Sequence, residues 1–127
     1  MSKEEDNKAL MRRWYDEMWS HCRFELIPEL AGPEYTRHDI VGTRTVTAEE
    51  YRDQMLAAAK DWEISDFNYF LMAEGDYVTA IGSWKINGEM QWDWVQTFRV
   101  EAGKLVETWL PAMATEGKWQ PGEIPAN

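Results

Sequence analysis

The chain has a single cysteine, Cys22, and only two histidines in 127 residues. One cysteine excludes an internal disulfide and points to a reducing, cytoplasmic setting. His21, Cys22, His38 and Asp39 are its nearest approach to a ligand cluster, and they lack metal-ligand spacing, so no metal is expected. Basic residues are scarce: 13 Lys and Arg against 23 Asp and Glu leave a net charge of −10. A surface that acidic repels phosphate backbones and anionic lipid, which argues against nucleic-acid and membrane partners. No apolar run approaches the ~20 residues needed to cross a bilayer, and the first 20 residues carry no apolar signal core. There is no glycine-rich phosphate loop, no dinucleotide fingerprint, no nucleophile-elbow serine, and no cluster of basic residues around Cys22 to stabilise a thiolate. No cofactor is expected.

Tryptophan is in excess, with eight residues raising the aromatic content to 13%. Each indole brings a large apolar area and one N–H that needs a partner when buried. A bulky core absorbs some of these rings, but so many large flat groups are hard to pack without leaving a cavity. The chain is therefore expected to enclose a tryptophan-rich pocket for a small, mostly apolar organic molecule. Length and composition suit a single domain over residues 1–127.

Met11, Tyr15, Met18, Trp19 and Cys22 recur at spacings of three and four, predicting a helix over 3–20, and 24–30 reads as a second, short one. Residues 34–40 read as extended. Thr47 caps a third helix, with Glu50 completing a capping box and Tyr51, Met55, Ala58, Ala59 and Trp62 forming its buried face. From residue 64 the period becomes two, predicting strands over 64–74, 77–87, 89–100 and 104–112, joined at Gly75-Asp76, Asn87-Gly88 and Ala102-Gly103. The tail from about 114 reads as irregular, and its segment around Trp119 either closes the pocket mouth or crosses to a partner. The fold class is α+β, with three N-terminal helices packed in the concave face of a curved antiparallel sheet of four to five strands, a cone open at one end. Val95 and Ile81 leave apolar surface on the outer face, which suggests a homodimer.

One face of 89–100 carries Met90, Trp92, Trp94, Gln96, Phe98 and Val100. Gln96 is its single polar member, so its amide either bonds another protein group or meets a polar ligand atom. On the preceding strand, Ala80 and Gly82 are small enough to leave room beside the large rings. Neighbours on a strand point to opposite faces, so of His38 and Asp39 only one can enter the pocket. Alternation groups Tyr35, Arg37 and Asp39 against Thr36, His38 and Ile40, with the inward set left open. A carboxylate at an apolar mouth would have a raised pKa, suited to a general base.

Trp14-Tyr15-Asp16-Glu17-Met18-Trp19, Pro33-Glu34-Tyr35-Thr36-Arg37-His38-Asp39 and the stretch 98–109 together resemble the SnoaL-like polyketide-cyclase branch of the nuclear-transport-factor-2-like superfamily. The resemblance implies a cystatin-like roll and a range of activities, from isomerases, cyclases, dehydratases and epoxide hydrolases to non-catalytic binders. The ketosteroid isomerase pattern puts its tyrosine on Tyr15, its base on Asp39 and its third group on Gln96. The cyclase pattern puts its aspartate on Met113, its histidine on Gln96 and its asparagine on Gln54, so that machinery is expected to be absent. The leading expectation is cofactor-independent acid–base chemistry on a hydrophobic carbonyl compound, by isomerisation, cyclisation or dehydration. Asp39 is the base, or His38 if the register shifts by one, and Tyr15 and Gln96 hold the enolate oxygen. Trp19, Tyr35, Gln54, Met55, Trp62, Trp84, Trp92, Trp94 and Met113 bind the substrate. A non-catalytic hydrophobic-ligand domain and an epoxide hydrolase are the alternatives.

Overall fold

The Ser2 hydroxyl accepts the Glu5 backbone N–H at 3.1 Å, and Glu4, Glu5 and Asp6 add negative charge where the helix dipole is positive. This starts α1 (Lys3–Arg12) in the computed structural model, which describes residues 2–126. The helix then widens into a π-helical segment, Arg13–Trp19, whose backbone bonds span five residues, as from Ser20 N–H to the Tyr15 carbonyl. The widening lets Trp14, Tyr15, Met18 and Trp19 all bury on one side. A 3₁₀ turn (Phe24–Leu26) leads into α2 (Ile27–Leu30), and β1 (Ala31–Asp39) follows.

Two features depart from the sequence-based expectation. Gly42–Thr47 forms a strand, β2, and the sheet has six strands instead of four to five. None of its residues is buried, so hydrophobic alternation gave no signal there. The sheet is also mixed, because β1 runs parallel to β6 (Lys104–Leu110) while every other pairing is antiparallel. Between these, β3 (Ile64–Glu74), β4 (Tyr77–Ile86) and β5 (Met90–Glu101) fall within two residues of the predicted strands. The order β2-β1-β6-β5-β4-β3 leaves the curved sheet unclosed. The hairpin at Asn87-Gly88 has φ of 56° and 69°, the left-handed pair its sequence anticipates.

α3 (Ala48–Ala58) begins with the anticipated capping box: Thr47 Oγ1 accepts from Glu50 N–H at 3.1 Å and Glu50 Oε1 from Thr47 N–H at 2.9 Å. Thr47→Ala is expected to lower stability by about 1 kcal/mol, read as a shift of the urea midpoint without a change in slope. An unchanged midpoint would count against a stabilising role for the cap. Tyr51 and Ala59 are buried as expected and Met55 and Trp62 partly so, whereas Ala58 is exposed. The core lies between these helices and the concave sheet face, built around Trp14, Tyr15, Phe24, Tyr35 and Phe98.

After β6 the chain passes beside β5, pairs Ala114 with Asp93, and crosses the convex face of the sheet. Trp119 therefore sits on the convex side, its carbonyl accepting from Gln91 Nε2 at 2.7 Å. It does not close the cavity mouth.

Candidate functional site

Strand register decides which side chains reach the interior. On β1 the inward set is Tyr35, Arg37 and Asp39. His38 lies on the outer face, where Nε2 meets Glu107 Oε2 at 2.6 Å, Nδ1 meets Thr43 Oγ1 at 2.8 Å, and the ring stacks on Trp109 at 5.2 Å. His38 is therefore remote from the cavity and cannot stand in as its base. The hydrogen bond from His38 and the charge of Arg99 hold the Glu107 carboxyl below its ordinary pKa.

Two neighbouring cavities share part of their lining. An inner chamber of about 150 Å³ lies between the helices and the concave sheet face. Of the residues singled out in the sequence, Trp19, Tyr35, Met55, Trp62, Trp84 and Trp92 line it, together with Gln96 and Met113. Beside it lies an outer cavity of about 320 Å³, the mouth, whose lining includes Asp39, Ile40 and Val41. Arg37, Trp92, Leu110 and Met113 border both parts.

Three expected residues fall elsewhere. Gln54 is exposed on α3, because the turn that buries Tyr51 and Met55 carries it toward water. Trp94 packs behind the chamber wall against Trp84, Tyr15 and Phe67. The space at Gly82 is not ligand room: a Cβ there would lie 2.3 Å from Trp94 Cη2, so the missing side chain accommodates that indole. Tyr15 is 1% exposed and stands behind Gln96, its hydroxyl 3.5 Å from Gln96 Oε1. Burial pushes the Tyr15 phenol well above its ordinary pKa, so it stays a protonated donor. Gln96 Nε2 donates to Thr108 Oγ1 at 2.9 Å, which in turn donates to the Thr97 carbonyl. An amide nitrogen carries two hydrogens, so one N–H of Gln96 is left for the chamber.

Asp39 sits at the mouth with its side chain 12% exposed. Its surroundings oppose the raised pKa expected from the sequence. Desolvation pushes the carboxyl up, but hydrogen bonds from Arg44 Nη1 at 3.0 Å and Val41 N–H at 3.1 Å, with the charges of Arg37 and Arg44, bring it below the ordinary aspartate value. Asp39 is thus ionised at neutral pH and a weaker base than a free carboxylate. No second carboxylate lines the chamber or the mouth among the described residues.

Arg37 is the main residue that sequence reasoning left without a role. Its guanidinium lies 4.6 Å over the Tyr51 ring and 3.4 Å from Asp39 Oδ2. The available signal was its place between Tyr35 and Asp39 in the inward set, where it is the one cation on that strand face. Trp14, Tyr51 and Leu110 also line the chamber and were not foreseen there. Among the described residues, Arg37 Nε and the indole N–H groups of Trp84, Trp92 and Trp94 are buried without a hydrogen-bond partner.

Residues 11–108 match the family model described as SnoaL-like domain. Among solved structures, a candidate polyketide cyclase from Acidithiobacillus ferrooxidans superposes with a TM-score of 0.75 at 18% identity, covering 87% of this chain and 89% of that one. IdmH, a candidate polyketide cyclase from Streptomyces antibioticus, gives 0.70 at 14% identity over 86% and 94%. A candidate ketosteroid isomerase from Kribbella flavida gives 0.70 at 17% identity over 100% and 93%. At these identities the likeness concerns the fold. No curated protein matches the chain by sequence. No helix among the described residues is long and apolar enough to cross a membrane.

Proposed function

The chain belongs to the SnoaL-like domain family, and on that premise we propose that it binds a small, hydrophobic carbonyl compound in the aromatic chamber and acts on it by proton transfer. The observation that carries this reading is the β1 register, which puts Asp39 at the mouth beside a chamber walled mostly by apolar and aromatic groups, with Arg37 and Gln96 as its polar members. In this reading Asp39, ionised at neutral pH, takes a proton from carbon next to the carbonyl. The spare amide N–H of Gln96 meets the developing oxyanion, and Tyr15 positions Gln96 from behind through its hydroxyl. Leu110, Met113 and the indole walls exclude water, which strengthens both interactions.

A second reading is favoured by one observation. Asp39 is shared between Arg37 and Arg44, which lowers the basicity that proton abstraction needs. A chamber that binds without turnover accounts equally well for the aromatic walls.

Asp39→Asn separates the two. Asparagine keeps the shape and can still accept from Arg44 and Val41, but it cannot take a proton. Catalysis predicts ligand binding within about two-fold of the parent chain and turnover lowered by about a hundredfold. The measurement pairs tryptophan fluorescence titration with an exchange assay that follows loss of deuterium next to the ligand carbonyl. Unchanged exchange in the variant would remove Asp39 as the base.

A further inference from the structure

A cavity selects apolar ligands by size only where its walls resist movement, and the walls of the inner chamber are braced from behind. On one side Trp84 is wedged among Trp19, Phe67 and Trp94, with ring centroids 5.2, 5.0 and 5.2 Å away. It has no room to retreat. Trp94 fills the space behind it down to the backbone of Gly82, where even a Cβ would lie 2.3 Å from that indole. On the other side Trp14 meets Tyr35 and Phe98 at 6.0 Å each and the stacked Tyr51 at 6.5 Å, while Tyr35 meets Tyr51 at 5.2 Å. Trp14 and Tyr35 are 1% exposed, and Tyr51 and Trp84 are 3% exposed. Displacing any one of these rings means displacing its neighbours.

The room between these walls is about 150 Å³. An apolar protein cavity of about that volume holds benzene, so the chamber has space for one six-membered ring. A second fused ring would have to take space that the braced walls already occupy, and overpacking of that kind is destabilising. The walls favour a shape as well as a size. They present indole and phenol rings, which pair with another flat ring offset or edge-on. The less buried part of the lining is Met55, Trp62, Trp92 and Met113. Trp92 and Met113 also line the mouth, so a short substituent on the ring leaves on that side.

We propose that the substrate class of this site is monocyclic: a carbonyl compound whose ring part is one planar six-membered ring seated in the chamber, with fused polycycles excluded by the braced walls. This deepens the proposed function by setting the size of its substrate, and it rests on that reading of the cavity.

The test uses acetophenone, acetonaphthone and acetylanthracene, which carry the same ketone on a single ring, on two fused rings and on three. Each is titrated calorimetrically into the full chain. Burial of apolar area alone would tighten binding with every added ring, whereas a chamber of fixed size reverses the order. Acetophenone is expected to bind at least about ten-fold more tightly than either of the larger ketones. Leu110→Ala cuts back a side chain that borders both chamber and mouth, and is expected to bring acetonaphthone to within about two-fold of acetophenone. Trp92→Ala enlarges the same boundary from β5 with the same expected result. Circular dichroism establishes that each variant is folded, and Trp92→Ala carries the test if Leu110→Ala is not. Affinity that holds or rises with each added ring, or a preference for the single ring that survives both substitutions, would overturn the one-ring limit and leave the cavity reading standing. Failure of all three ketones to bind the parent chain would overturn the cavity reading and this proposal together.

Discussion

Gly82→Ala is expected to destabilise the protein by about 3 kcal/mol, the upper end of ordinary overpacking, and to lower its melting temperature by about 10 °C. The added methyl would lie 2.3 Å from Cη2, 2.5 Å from Cζ2 and 2.8 Å from Cζ3 of Trp94. Those atoms cannot swing away. The Trp94 ring is held by Tyr15 at 5.2 Å, Trp84 at 5.2 Å and Phe67 at 6.0 Å between centroids, and the residue is 3% exposed. Interiors packed to this density transmit such a clash to the neighbours, here the chamber wall at Trp84. Thermal unfolding followed by circular dichroism measures the loss. Trp94→Leu is expected to cost less in the Gly82→Ala background than alone, because it removes the ring that the methyl meets. A Gly82→Ala protein as stable as the parent would show that the fit between this glycine and its indole is loose.

The second large effect belongs to the tail. Asp93 is 5% exposed on the convex face, a position at which an unpaired carboxylate would be costly. It is fully engaged: Ser83 Oγ and Gln91 Nε2 donate to Oδ1 at 2.9 Å each, and the backbone N–H groups of Lys118 and Trp119 donate to Oδ2 at 2.8 and 3.1 Å. Gly117 permits the approach, since a Cβ there would fall 2.4 Å from the carboxylate carbon. Asp93→Ala is expected to cost about 3 kcal/mol, because it takes the acceptor from the buried Ser83 hydroxyl and from the part-buried donors of Gln91, Lys118 and Trp119. It should also release the segment that follows, so that trypsin cuts after Lys118 at least about ten times faster than in the parent chain. An unchanged cleavage rate would show that the tail is held by other contacts.

The same carboxylate makes stability depend on pH in a defined sense. Desolvation raises its pKa, but the bonds from Gln91, Trp119, Ser83 and Lys118 outweigh it and leave Asp93 below the ordinary aspartate value. A group ionised more readily when folded contributes stability that is complete above its unfolded pKa and lost as pH falls through the folded one. Asp39 and Glu107 act in the same direction. The Asp93→Ala protein is therefore expected to show a shallower loss of stability under acid than the parent.

Much of this architecture is legible in local pattern. The Thr47 and Glu50 cap, the Asn87-Gly88 hairpin and the alternation along β3, β4 and β5 depend on interactions between near neighbours, which sequence spacing records directly. β2 escaped because none of its residues is buried, which leaves no inner face to alternate against. At the site, alternation grouped Tyr35, Arg37 and Asp39, which the lining of the two cavities shares out between them. Gln54 was misplaced because helix phase, not alignment with a relative, sets which residues of α3 face inward.

By itself, then, the sequence determined an acidic α+β chain whose later half is hairpin-joined strands, rich in indoles and with one polar group, Gln96, on its most apolar strand face. The tertiary structure decided matters that no local pattern holds. It chose the inward face of β1 by pairing it with β6, sent His38 to Glu107 and Trp109 on the outside, and set Asp39 between two arginines, reversing the expected direction of its pKa. It also spent the space at Gly82 on Trp94 and carried the tail to Asp93. The physical reason is the same in each case: pKa, cavity room and hydrogen-bond satisfaction depend on atoms brought together from distant parts of the chain, and only packing brings them within a few ångströms.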